Sequence, residues 1–126
     1  MPDLGTVTVS EETFGKIKKI TFSWLSENGG GDGGKATKTT ENVYNGEIVR
    51  LVTDPGATAP SDNYTVTLLD EDGTDVLMGA AVANRDDTNT EQVLASSLGC
   101  VANDKLTLSI SGAGNAKIGT VYVYIK

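Results

Sequence analysis

A two-residue alternation of apolar and polar side chains restricts this chain more than any other feature. In "KKITFSWLS", Ile20, Phe22 and Trp24 share one face, while Lys19, Thr21 and Ser23 share the other. Successive side chains of a strand point to opposite sides, so such a run has one buried and one wet face. Tyr64, Val66 and Leu68 repeat the pattern against Thr65, Thr67 and Leu69, as do Leu106, Leu108 and Ile110 against Thr107, Ser109 and Ser111. Val121, Val123 and Ile125 alternate in the same way with Thr120, Tyr122 and Tyr124. "GEIVRLVTD" is denser and reads as a strand covered on both faces, with Arg50 reaching an edge or a partner. Ile17 is out of step with Ile20, which predicts a bulge near Lys18 and Lys19. Weaker strand candidates are Gly5–Ser10, Lys35–Tyr44 and Glu91–Leu94.

Turn chemistry separates these runs. "DEDG" between two apolar stretches predicts a hairpin from Tyr64 to Met78. "SGAGNAKIG" predicts a second, longer-looped hairpin joining the last two strands. Turn signals recur about every 8–12 residues, and no segment sustains a helical period. The expectation is an all-β fold: an antiparallel β-sandwich of jelly-roll kind with seven or eight short strands. The 126 residues suit a single domain, with residues 1–14 as an extended N-terminal arm and residues 28–35 as a flexible glycine-rich loop.

Composition narrows the chemistry. Histidine is absent, which removes the commonest general base and metal ligand. One cysteine, Cys100, permits neither an intrachain disulfide nor a multi-cysteine zinc site. It lies between apolar neighbours and is expected in the core. A net charge of −7 makes nucleic acid a poor partner. No stretch resembles a secretory leader or a membrane span, so a soluble protein made in the cytoplasm is expected. Neither an enzyme, a cofactor, a metal nor a small-molecule substrate is expected.

"NGGGDGGKAT" contains G-x-x-x-x-G-K, the start of a phosphate-binding loop. Ala36 stands where that loop needs Ser or Thr, and no helix follows to receive a phosphate. A strand connection with conformational freedom is the better reading. The turn carrying Asp70, Glu71, Asp72 and Asp75 does not match the spacing of a calcium loop. Trp24 is expected to anchor the core. Tyr122 and Tyr124 face outward if the valines between them face inward, which would suit an interface or a carbohydrate platform; the reverse assignment remains open. "VTDPGATAPSDNY" is a stiff loop, with turn chemistry at Asp54, Pro55 and Gly56 and a second proline at Pro60. Low entropy suits such a loop to a permanent contact.

The order "YNGEIVRLVTDPGATAPSDNYTVTLLDEDGTDVL", then "NRDDTNTEQV", then "AGNAKIGTVYVYI" resembles a set of small structural proteins of tailed bacteriophages and prophages. The resemblance covers roughly Lys16 to Lys126. It implies a head decoration (cement) protein on the capsid surface of the virion, bound to the lattice of the major capsid protein, and homotrimeric. No catalytic residues follow from it. Expected contacts lie in the stiff loop, the N-terminal arm and the polar loop Arg85–Glu91. The candidates are Arg50, Asp54, Pro55, Pro60, Asp62, Arg85, Asp86, Tyr122 and Tyr124. The alternatives are a tail, neck or baseplate protein and a carbohydrate-binding module built on the two tyrosines. The aromatic content of 6% weighs against the second.

Overall fold

The computed structural model describes residues 5–27, 34–93 and 98–126. Among them are nine strands: β1 (Thr6–Phe14), β2 (Ile17–Leu25), β3 (Ala36–Thr39), β4 (Tyr44–Pro55), β5 (Thr65–Leu69), β6 (Glu91–Val93), β7 (Cys100–Asp104), β8 (Thr107–Ser111) and β9 (Ile118–Ile125). They form two antiparallel sheets. The larger has the order β1-β2-β9-β4-β6, with β7 also pairing β4; the smaller has the order β3-β8-β5. No described residue is helical.

Apart from the β1–β2 hairpin and the β6–β7 connection, which stay in the larger sheet, each connection between consecutive strands leads to the other sheet. The segment after β5 first turns back beside its own strand. Val76 N donates to Leu68 O at 2.8 Å and Val66 N to Ala81 O at 3.0 Å. Residues 75–82 thus occupy the fourth place of the smaller sheet as a run of turns. With that place filled, the orders β2-β9-β4-β6 and β3-β8-β5-(75–82) are those of a jelly roll, with β1 added outside β2.

The inward alternation builds the core. Ile20, Phe22, Trp24, Leu51, Val121, Val123 and Ile125 from the larger sheet meet Val66, Leu68, Leu108 and Ile110 from the smaller, all essentially inaccessible. The Trp24 and Tyr64 rings meet at 5.7 Å with a 52° tilt. Gly119, opposite Trp24 in the β2–β9 register, leaves room for the indole.

Several expectations change. The strand count is nine, two of which (β6 and β7) are short pieces along one side of β4. Residues 6–14 are not an extended arm, because β1 pairs β2 from Thr6↔Leu25 to Phe14↔Ile17. That unbroken register also removes the bulge expected near Lys18 and Lys19. A bulge occurs instead in β4, between Ile48 and Arg50. The last two strands do not form a hairpin: β8 pairs β3 and β5, and β9 pairs β2 and β4. Cys100 is exposed, because it sits on the outer side of the short β7. Residues 28–33 of the glycine-rich loop and residue 94 of the Glu91–Leu94 run lie outside the described residues.

An acidic side chain ties β1 to the opposite sheet's connection. Glu11 Oε1 accepts from the Tyr44 hydroxyl at 2.6 Å and from Asn42 N at 3.1 Å, and Oε2 accepts from Glu41 N at 3.0 Å. Burial pushes the Glu11 carboxyl up, but these donors outweigh it and hold it below the ordinary glutamate value. A carboxyl depressed in the folded state stabilises above its unfolded pKa and loses that contribution as pH falls through the folded one. The stability advantage of the wild type over Glu11→Gln is therefore expected to shrink on acidification through the carboxylate range. Melting curves across pH test this, and an advantage undiminished at the acid end would contradict it.

Candidate interaction surfaces

Strand direction brings most of the anticipated contact segments to one end of the sandwich. The start of β1, the β2–β3 connection, the loop after β4, the segment before β6 and the β8–β9 loop all emerge there. They are stitched together by backbone contacts. Ser61 N donates to Ala113 O at 2.8 Å, Asn63 N to Arg85 O at 2.9 Å, Ile118 N to Thr58 O at 3.0 Å and Gly56 N to Ile118 O at 2.9 Å. Ser26 Oγ donates to Gly114 O at 2.6 Å and accepts from Lys117 N at 2.8 Å. Loops joined this closely form a shaped platform, and their ordering cost is met on folding.

The candidate residues divide within it. Asp54 is half-buried, and its Oδ1 accepts from Thr90 Oγ1 at 3.0 Å, linking the stiff loop to the polar one. Pro55 is half-buried at the end of β4, whereas Pro60 is buried and braces the loop from inside. Asp62 is exposed. Its carboxylate lies with those of Asp86 and Asp87, the three within 4.8 Å of one another. Asp86 already accepts from Thr88 N, Asn89 N and Asn89 Nδ2, at 2.7, 3.0 and 3.3 Å. Those donors hold its carboxyl below the ordinary aspartate value. The group thus serves as the brace of a turn. Asp75 acts alike: Oδ1 accepts from Leu68 N and Leu77 N, and Oδ2 from Gly79 N.

Arg85 is committed inside the molecule. It is 7% exposed and lies beside Tyr64 through an isolated bridge. Nη1 sits 3.8 Å from Glu91 Oε1 and 3.5 Å from Thr53 Oγ1, while Nε donates to Asn84 Oδ1 at 3.0 Å. Next to it, burial pushes the Tyr64 hydroxyl up to about 12, with the Thr53 hydroxyl and the Arg85 charge pulling the other way. That hydroxyl lies near Thr53 without an aligned hydrogen bond. Since Arg85 is the buried member of the pair, losing its counter-charge is the costlier change. Glu91→Gln is expected to destabilise by about 1–3 kcal/mol. Arg85→Met, which removes the charge and keeps the stem, is expected to cost less. Chemical denaturation of the two variants tests this, and the opposite ranking would overturn it.

A second surface is the outer face of the larger sheet. Val121, Val123 and Ile125 point inward, so Tyr122 and Tyr124 face out and are half-buried. Register sets Tyr124 between Lys19 of β2 and Arg50 of β4, and Tyr122 between Thr21 and Val52. Lys19 Nζ stands 5.1 Å from the Tyr122 ring centre and 5.8 Å from that of Tyr124, and Arg50 Cζ stands 5.2 Å from the Tyr124 centre. These are cation–π distances. Arg50 Nε donates to Gln92 Oε1 at 2.8 Å, which fixes the guanidinium. Val52 is 5% exposed yet lies outside the main core cluster, consistent with cover from this outer face.

Lys19 and Gln92 were not anticipated from the sequence. Lys19 was legible as a residue of the wet face of its strand, but its neighbours depend on pairing between strands far apart in the chain. Shallow depressions occur beside Glu47 and Cys100, one of about 600 Å³ also bounded by Gly46, Val101 and Lys126.

Comparison with protein-family models, curated proteins and solved structures finds no match for this chain. The fold is that of a jelly-roll β-sandwich with a stitched loop platform at one end and a cation-flanked tyrosine row on one sheet.

Proposed function

We propose that this chain is a structural protein of a tailed-phage particle that decorates and stabilises the capsid, working as a homotrimer. The observation that carries the reading is the loop platform: the stiff Asp54–Asn63 loop, the polar loop through Glu91 and the start of β1 meet at one end. A protein that must sit permanently on a lattice needs a preshaped contact surface, and several weak contacts per trimer raise avidity. The sequence resemblance supports the phage assignment. Jelly rolls occur in capsid and lectin domains alike, so the fold supports it only by analogy.

The test is cryo-EM of purified particles from a lysate in which the chain is made, with mass spectrometry to establish that it is present. Density on the head surface, with the loop end against the shell, is expected. Density confined to the tail would replace this reading with a tail, neck or baseplate role, and absence from the particle would overturn it. Light scattering of the isolated protein addresses the trimer. A carbohydrate-binding module is the alternative that glycan-array binding lost on Tyr122→Ala would support; the cations over the Tyr122 and Tyr124 rings weigh against it.

A further inference from the structure

We infer that the Lys19–Tyr124–Arg50 row is a docking site for a carboxylate-rich segment of a partner protein. The inference goes beyond the virion reading and does not depend on it. Two cations lie on the outer face of the larger sheet, with Glu12 opposite Lys19 in the β1–β2 register, in a chain that carries 17 acidic and 10 basic residues. Neither takes part in an ion pair among the described residues, where Arg85–Glu91 is the only pair. Both are held in place: Lys19 over two rings, and Arg50 by Tyr124 and Gln92. With Nε engaged by Gln92, the terminal nitrogens of Arg50 are left to grip a carboxylate by two parallel hydrogen bonds. Fixing the donors beforehand lowers the entropy lost on binding.

The same geometry distinguishes among anionic and aromatic-seeking ligands. A neutral sugar stacks on a bare ring face, and here Lys19 and Arg50 stand over those faces. Such a sugar would have to displace them, whereas a carboxylate meets them where they stand. A long polyanion would meet the whole field of a chain with net charge −7, which opposes its approach. A short acidic peptide segment places its charge locally.

The experiment is NMR titration of the intact chain with a short poly-glutamate peptide. Polyphosphate, polygalacturonate and a neutral β-glucan oligosaccharide serve as competing probes. The peptide is expected to shift the Tyr122 and Tyr124 ring signals and to bind more weakly as salt rises. Arg50→Gln is expected to weaken it about tenfold. The combined Lys19→Gln and Arg50→Gln variant is expected to abolish it. Tyr124→Leu provides an independent check, because it removes the ring that holds both cations; weaker peptide binding is expected there too. Unchanged circular dichroism establishes that each variant is folded. The proposal is overturned if the peptide does not bind, if the double variant binds it as the wild type does, or if any of the other three probes binds as tightly.

Discussion

Trp24→Ala is expected to cost about 3–5 kcal/mol, the range for removing a large buried aromatic, and to lower the melting temperature by roughly 10–20 °C. Trp24 is 2% exposed, contacts Tyr64 and fills the space above Gly119. Neither neighbour can close the gap: Gly119 has no side chain, and Tyr64 is held in the smaller sheet's edge by its bridge to Arg85. The indole Nε1 has no hydrogen-bond partner among the described residues, so its removal there loses packing without losing a hydrogen bond. Thermal denaturation followed by circular dichroism measures the effect. A loss below about 1 kcal/mol would mean that the core repacks around the gap.

Gly34→Ala is expected to destabilise by about 2–4 kcal/mol, combining left-handed backbone strain with a steric clash. Gly34 has φ +75°, and a β-carbon there would fall within 3.0 Å of three backbone atoms of Gly114. Backbone cannot rotate aside as a flexible side chain does, so the β2–β3 and β8–β9 loops must part. Gly114 carbonyl is the acceptor of Ser26 Oγ, and Ser26 Oγ accepts from Lys117 N. The damage should therefore centre on the loop platform. Hydrogen exchange is expected to accelerate at Lys117 and Ala116 before it does in β2 or β9. Uniform acceleration throughout the sandwich would contradict the local assignment.

The sheet faces were legible because burial imposes a period of two on the sequence, and residues such as Ile20, Phe22, Trp24, Val121 and Val123 follow it strictly. Pairing was much less legible. "SGAGNAKIG" carries the turn residues of a hairpin, yet it passes the chain from one sheet to the other; local turn chemistry does not say which strand lies alongside. The segment 75–82 reads as a strand from Val76, Leu77 and Met78. Glycine and left-handed residues, including Met78 at φ 52° and Gly79 at φ 78°, break it into turns that still pair with β5. Candidate residues in the stiff loop were found through proline and glycine chemistry, which is local. Arg85 reads as a contact candidate because it lies in a polar loop, and only the fold reveals Thr53, Tyr64 and Glu91 around it. The Lys19–Tyr124–Arg50 row was half visible: Tyr124 and Arg50 stood out singly, and register alone joins them.

The position of β9 between β2 and β4 has a kinetic consequence. The larger sheet cannot close until β9 inserts, because β9 joins the hairpin of β1 and β2 to strand β4. Until then, β2 and β4 each present an open edge to other partly folded chains. With so many pairings between distant segments, folding is expected to take milliseconds to seconds.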